Sequence, residues 1–294
     1  MIKACLNILY LFLIPLMILP ISCGIDFQKA QSPHYLYIKN IDLTTKPQSE
    51  GAPSHKISDL WIYADGKLAG TFSKNRLIPI IHENENVKIS IVAGIRTNGN
   101  KQDFQQYFLL NSIDFDIIFS EGKIDTLDAL FSYSKNSRFV FIEDFENGNI
   151  FTVDIDKNPS TSVSISKNDV HSGLNCGKII LDKTNNTIEV TSSAEFFQLP
   201  LSGNSVYLEL DYKCSTNFVI GLTGKENSNG KEYNSDVILL TKKENWNKLY
   251  LNLTDIIRKS GLGLYKIYFR AEHDNTNEKS EISLDNIKLI YLAK

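Results

Sequence analysis

The chain has 294 residues, with 31 basic against 34 acidic side chains and a formal net charge of −3. That near-balance argues against nucleic acid as a partner, because binding phosphate backbones takes a concentrated basic surface. Glycine (16) and proline (8) are too few for a low-complexity chain, and no block of like charges marks a disordered tail.

Met1 and Lys3 open the chain with positive charge, and Ile8 to Ile21 is an unbroken run of 14 apolar residues. A helix that spans a bilayer needs about 20, and Pro15 and Pro20 would interrupt one. A charged start, a short apolar core and a small residue, Ser22, before the cut describe an export signal. Ser22-Cys23 resembles the lipobox of bacterial lipoproteins, which implies that Cys23 becomes an acylated N-terminus. Two or more acyl chains anchor stably where a single chain binds only marginally. Residues 1–22 are then a lipoprotein signal peptide and 23–33 a tether. The expected location is the cell envelope, as an outer-membrane lipoprotein facing either the periplasm or the cell surface. Removing residues 1–22 leaves 272, enough for one large domain or two ordinary ones.

Period-two alternation dominates the remainder of the chain. In DLWIYA, Leu60, Ile62 and Ala64 alternate with Trp61 and Tyr63; Asp65-Gly66 then supplies a two-residue hairpin turn, and KLAGTF returns. VKISIVAGI (87–95), SIDFDIIF (112–119) and TLDALFSY (126–133) alternate again. About seven short strands without sustained helical spacing predict an all-β sandwich over 34–133. The polar stretch 134–138 reads as a linker. FVFIEDFE is apolar on both faces (Phe139, Phe141 and Phe145 against Val140 and Ile142), which predicts a buried strand. The later strands are KIILD, TIEVTS, SVYLELDYK, FVIGL, DVILLT, KLYLNL, LYKIYFRA and EISLDNIKLIYL. One helix is predicted at 254–260, with Thr254 as its cap. This pattern over 139–294 suits a jelly roll.

These residues resemble two groups. "DLWIYADGKLAGTF", "IPII", "VAGIRTNG" and "FVFIEDFE" are similar to a Bacteroidetes group of exported lipoproteins of undefined function. "EDFE", "HSG" at 171–173, "WNKLYLNL" and "ISLDNIKL" resemble the galactose-binding-like jelly rolls of carbohydrate-binding modules. The first half is loosely similar to immunoglobulin-like or transthyretin-like sandwiches. The jelly-roll resemblance implies a structural calcium held by Glu146 and Asp285 with backbone carbonyls near Ser172; oxygen ligands suit that ion.

Cys5 leaves with the signal and Cys23 takes lipid, so Cys176 and Cys214 remain. In an exported chain such a pair can be a disulfide, and closing a loop of about 40 residues would stabilise by roughly 3–4 kcal/mol. Both also lie beside strand-like runs, where a buried free thiol packs as a small apolar group.

The five histidines (His34, His55, His82, His171, His273) are scattered, with neither a metalloprotease pair nor a nucleophile elbow. Glu143, Asp144 and Glu146 could pair as glycosidase carboxylates, but on a strand only Asp144 and Glu146 share a face. A surface is more promising. With Leu208, Leu210 and Tyr212 turned to the core, Tyr207, Glu209 and Asp211 are expected to face out. Tyr250 and Asn252 face out by the same alternation, as do Lys266, Tyr268 and Arg270. Tyrosines beside carboxylate, amide and guanidinium groups could seat a sugar; the competing expectation is a solvated face with cross-strand charge pairs. Trp61 and Trp246 are expected at sandwich edges. The reading is a lipid-anchored, non-catalytic envelope protein that binds a glycan or another envelope component, its partner beyond the membrane being a polysaccharide or an outer-membrane protein. The alternatives are an assembly subunit of an outer-membrane complex and, more weakly, a glycosidase.

Overall fold

The computed structural model describes residues 32–197, 199–226 and 231–293. Cys23, its leader and the tether as far as Gln31 lie outside the described residues. The first half comprises β1 (His34–Thr44), the one-turn helix α1 (Pro47–Glu50), β2 (Asp59–Ala64), β3 (Lys67–Ser73) and β4 (Leu77–Ile80). It continues with β5 (Asn86–Arg96), β6 (Phe104–Gln106), β7 (Ile113–Ile118) and β8 (Ile124–Ser132). A sheet ordered β4-β1-β8 faces one ordered β3-β2-β5-β6, with β7 also on β5. The β2–β3 hairpin turns on Asp65 (φ 46°) and Gly66 (φ 76°), both left-handed as its twist demands. Leu60, Ile62 and Ala64 are buried with Ile89, Ile91 and Ile95, and Phe131 packs in from β8.

The second half holds β9 (Ser137–Glu143), β10 (Val153–Asp154), β11 (Ser164–Ser166), β12 (Cys176–Asp182), β13 (Thr187–Thr191) and β14 (Phe196–Phe197). Then come β15 (Val206–Cys214), β16 (Phe218–Glu226), β17 (Glu232–Leu240), β18 (Lys243–Asn252), α2 (Thr254–Ser260), β19 (Leu262–Glu272) and β20 (Lys279–Leu292). They form a jelly-roll sandwich. Its inner sheet runs β11-β12-β20-β15-β18, with β9 on β20; its outer sheet runs β10-β13-β19-β16-β17, with β14 on β19. The chain is therefore all-β, as expected. The predicted helix forms at 254–260, but Thr254 does not cap it: Leu253 is the N-cap, and the Thr254 hydroxyl accepts the Val206 N–H at 3.0 Å.

Residues 33–294 form one compact unit. Tyr207, Tyr250 and Ile290 of the inner sheet belong to the first sandwich's core cluster. That explains why FVFIEDFE is apolar on both faces: Phe139 packs on the first core, Val140 and Phe141 on the second. At the crossing between sandwiches, buried Ser137 donates its hydroxyl to the Leu109 carbonyl at 2.7 Å.

Candidate functional site

The seven residues expected on one outward face are divided between the two sheets of the jelly roll. Tyr207, Glu209 and Asp211 lie on β15 and pair across to Tyr250 and Asn252 on β18, so this part of the expected neighbourhood forms. It is not open. Tyr207 and Tyr250 are 3% exposed and Glu209 and Asp211 1%, because the first sandwich sits on that face. Alternation separates one side of a strand from the other, and the first sandwich covers the side opposite the jelly-roll core. Only Tyr268 and Arg270, on β19, lie on the outer sheet, and there Tyr268 too is only 3% exposed, while Arg270 is half-buried.

The covered face is a built polar network. Glu209 and Asp211 stand on β15 directly opposite Lys288 of β20 and Lys248 of β18, respectively. Tyr107 and Tyr133, from the first sandwich, donate their hydroxyls to Glu209 at 2.5 and 3.0 Å. Lys248 Nζ is 3.3 Å from Glu209 and 3.6 Å from Asp211. Burial pulls the Lys248 pKa down, but Asp211 and Glu209 outweigh it and hold it above the ordinary value. The loop between α1 and β2 closes over the top. Ser54 donates to Asp211 at 2.8 Å, Lys56 N–H to the Tyr250 hydroxyl at 2.9 Å, and the Ala52 carbonyl accepts Lys288 Nζ at 2.7 Å. Asn252 Nδ2 reaches the Tyr207 hydroxyl at 3.3 Å, and its N–H donates to Asn98 Oδ1 at 2.9 Å. Charges left without water are retained because nearly every one meets an opposite charge or a hydroxyl.

The two carboxylates expected to hold calcium do face the 171–175 loop, but the donor set is wrong for a cation. Leu174 and Asn175 turn their N–H groups to Glu146 Oε1 at 2.6 and 2.9 Å, and Ser172 N–H donates to Asp285 Oδ2 at 3.0 Å. Calcium would need carbonyl oxygens there. Among the described residues no group of three or more acidic, histidine or cysteine side chains converges as a metal site. The acidic stretch beside it is likewise spent on the backbone. Glu143 accepts the N–H groups of Phe145 and Ile150, both at 2.7 Å, and Asp144 that of Glu146 at 3.1 Å.

Cys176 and Cys214 are both buried free thiols. They do not pair, because β20 runs between their strands. Two strand spacings, about 9.5 Å, exceed the roughly 7 Å that a disulfide can bridge between Cα atoms.

What remains open is the outer sheet. A groove of ≈ 330 Å³ lies on it, lined by the apolar Val153, Ile155 and Leu264 and by polar residues that include Glu189, Thr223 and Asn234. The floor is set by the strand register. Tyr268 lies between Thr191 on one neighbouring strand and Gly221 on the other, and Gly221 is opposite Asp236 of β17. Only glycine fits at 221, since a Cβ there would stand 2.1 Å from Tyr268 Cζ. The flattened Tyr268 ring donates its hydroxyl to Asp236, whose other oxygen pairs with Arg270. Lys266 reaches Glu195 at 3.5 Å. Thr223 and Asn234 have no side-chain hydrogen bond within the described residues, so donors and acceptors of both kinds are unspent. Of the groove's lining, sequence reading found Lys266 and Tyr268 and missed Glu189, Thr223 and Asn234; Arg270, which pairs with Asp236, does not line it. The β16 and β17 alternation carried the signal, but not which strands would be neighbours.

No known family model and no curated sequence matches the chain. Among solved structures it is similar to the CBM22-1 xylan-binding domain from Paenibacillus barcinonensis Xyn10C, at 13% identity and a TM-score of 0.38, over 55% of this chain and 99% of that one. A family 30 carbohydrate-binding module is similar at 15% identity and 0.38, over 54% and 88%. The K3 cleaved adhesin domain of Lys-gingipain from Porphyromonas gingivalis w83 is similar at 16% identity and 0.36, over 52% and 98%.

Proposed function

We propose that this protein is a non-catalytic glycan-binding module, held at the envelope by lipid on Cys23. The outer-sheet groove carries the reading: hydroxyl, amide and carboxylate groups line it together with the apolar Val153, Ile155 and Leu264. A sugar chain offers hydroxyls to such polar groups and C–H faces to such apolar side chains. Shallow sites of this kind bind at millimolar to micromolar strength, about −4 to −8 kcal/mol. An array of envelope and dietary glycans, with titration of any hit, tests it. Asn234→Ala and Glu189→Ala should each weaken binding at least tenfold without moving the melting temperature. Binding that survives both substitutions together would place the site elsewhere.

Anchoring is tested separately. A fatty-acid label fed to cells should mark the wild type and not Cys23→Ser, which should also leave the membrane fraction. Equal labelling of the two would remove the lipoprotein reading.

A second reading, an assembly subunit, has its own support. The outward side of β4-β1-β8 aligns Pro79, Tyr35 and Ile124 in one row and Leu77, Tyr37 and Thr126 in the next. Leu77, Ile124 and Leu130 are exposed there, and exposed apolar patches on soluble domains mark interaction surfaces. If no glycan binds, and Leu77→Asp with Ile124→Asp releases the protein from a larger membrane complex, this second reading replaces the first.

A further inference from the structure

We infer that a second carbohydrate-contacting subsite lies where the two sandwiches meet, and that it holds one neutral pyranose ring by stacking. The subsite rests on the glycan-binding reading and supplies what the outer groove lacks, an exposed aromatic face. A second groove of ≈ 330 Å³ is lined by Trp61, Phe104, Gln105, Gln106 and Phe108 of the first sandwich and Ser205 of the second. Phe104 is 46% and Phe108 56% exposed, a large apolar area to leave in water beside a concavity. Phe104 is held in place. The Arg96 guanidinium lies 4.9 Å from its ring centroid, and the Trp61 ring is 6.3 Å away.

The polar atoms fit the rim of a sugar. Gln105 donates its amide nitrogen to the Thr97 hydroxyl at 3.0 Å, and Gln106 donates to the Tyr63 hydroxyl at 2.8 Å. Each amide is therefore fixed by one end, and its oxygen accepts nothing within the described residues. The Ser205 hydroxyl is also unspent, while its carbonyl takes the Leu292 N–H at 3.0 Å. A pyranose has a C–H face for a ring and hydroxyls around its edge for oxygens and a serine. The site draws no anion, because its cation is already occupied: Arg96 donates to Asp59 at 2.9 Å and to the Lys101 carbonyl at 2.6 Å. An uncharged glycan is the class that matches. Ring stacking of this kind gains from area and from the aromatic quadrupole together.

The chain has two tryptophans, and Trp61 is the one at this groove; Trp246, on β18, lies beside His171 at 5.2 Å between ring centroids. The full-length protein and its Trp246→Phe variant are titrated with neutral hexasaccharides of glucose, xylose and mannose while tryptophan emission is monitored. At least one should shift the Trp61 emission and saturate. Phe104→Ala and Phe108→Ala should each weaken that response at least tenfold with an unchanged melting temperature, and Asn234→Ala should leave it intact. Glycan binding that is blocked by Asn234→Ala but never alters Trp61 emission, and ignores both phenylalanine variants, would overturn the junction subsite and leave the glycan reading standing. Absence of binding to any glycan would overturn both. Self-association abolished by Phe108→Ala, with no sugar response, would assign the patch to a second copy of the chain instead.

Discussion

Glu209→Ala should cost about 3–5 kcal/mol of folding stability, the range found when one partner of a buried ion pair is removed. The side chain is 1% exposed and has three partners: the Tyr107 and Tyr133 hydroxyls and Lys248. Truncation leaves Lys248 with Asp211 alone at 3.6 Å, in a place that water does not reach. The tyrosines cannot readily compensate by ionising, because burial, the largest cause of their raised pKa values, persists when the Glu209 charge is gone. Glu209→Gln keeps an acceptor for the hydroxyls and loses only the charge, so it should cost less. Replacing the pair together, Glu209→Met with Lys248→Met, should be milder than the two single losses added, since neither charge is then stranded. Urea unfolding of the wild type, Glu209→Ala, Glu209→Gln, the two single methionine variants and their double variant measures these costs. A Glu209→Ala cost below about 1 kcal/mol, the scale of an exposed pair, would show that water enters the junction.

The junction was not legible because of what alternation encodes. SVYLELDYK identifies Leu208, Leu210 and Tyr212 as one face and Tyr207, Glu209 and Asp211 as the other, and both groups are buried. Parity gives the sides of a strand and does not reveal that the first sandwich covers the second side. The partition into sheets was equally hidden. β18 and β19 are consecutive strands joined by α2, yet they lie in opposite sheets, so Tyr250 and Tyr268 cannot share a platform. Local features were readable where local chemistry decides them. Asp65-Gly66 makes the hairpin because both positions need positive φ, and 254–260 is helical because the strand period breaks there. One clue to the junction was present. Lys288 stands within the apolar run IKLIYL, and a charge surrounded by strand residues that large is retained only when something opposite neutralises it. Its partner in register is Glu209, a cross-strand charge pair of the kind that competes with an open sugar-binding surface.

Between about pH 4 and pH 7 the protein should become less stable as pH rises, the reverse of ordinary acid denaturation. The cause is Asp285, which is fully buried. Burial pushes its carboxyl up to about 7, and the nearby Asp211 charge adds to this, against the N–H groups of Ser172 and Asn286 that favour the ionised form. An acid whose folded pKa is raised binds its proton more tightly in the native state. Below the unfolded value, near 4, both states are protonated and nothing is lost. As pH climbs to about 7 the unfolded chain releases the proton first, so stability falls across that window. The shift from 3.8 to about 7 corresponds to roughly 4 kcal/mol at 1.36 kcal/mol per unit. Lys288 adds an alkaline limb. Burial pulls its pKa down to about 8, with the Lys248 charge contributing. The native state therefore gives up that proton before the unfolded chain does, and stability recovers from about pH 8 towards 10.5. The specific test is the difference in melting temperature between the wild type and Asp285→Asn as pH is varied. The amide cannot accept both N–H bonds, so it carries a constant offset of about 1 kcal/mol. Over pH 4–7 the wild type should lose ground to the variant steadily. Two parallel profiles would mean that Asp285 titrates like an exposed carboxylate, and that the buried face of the inner sheet is hydrated.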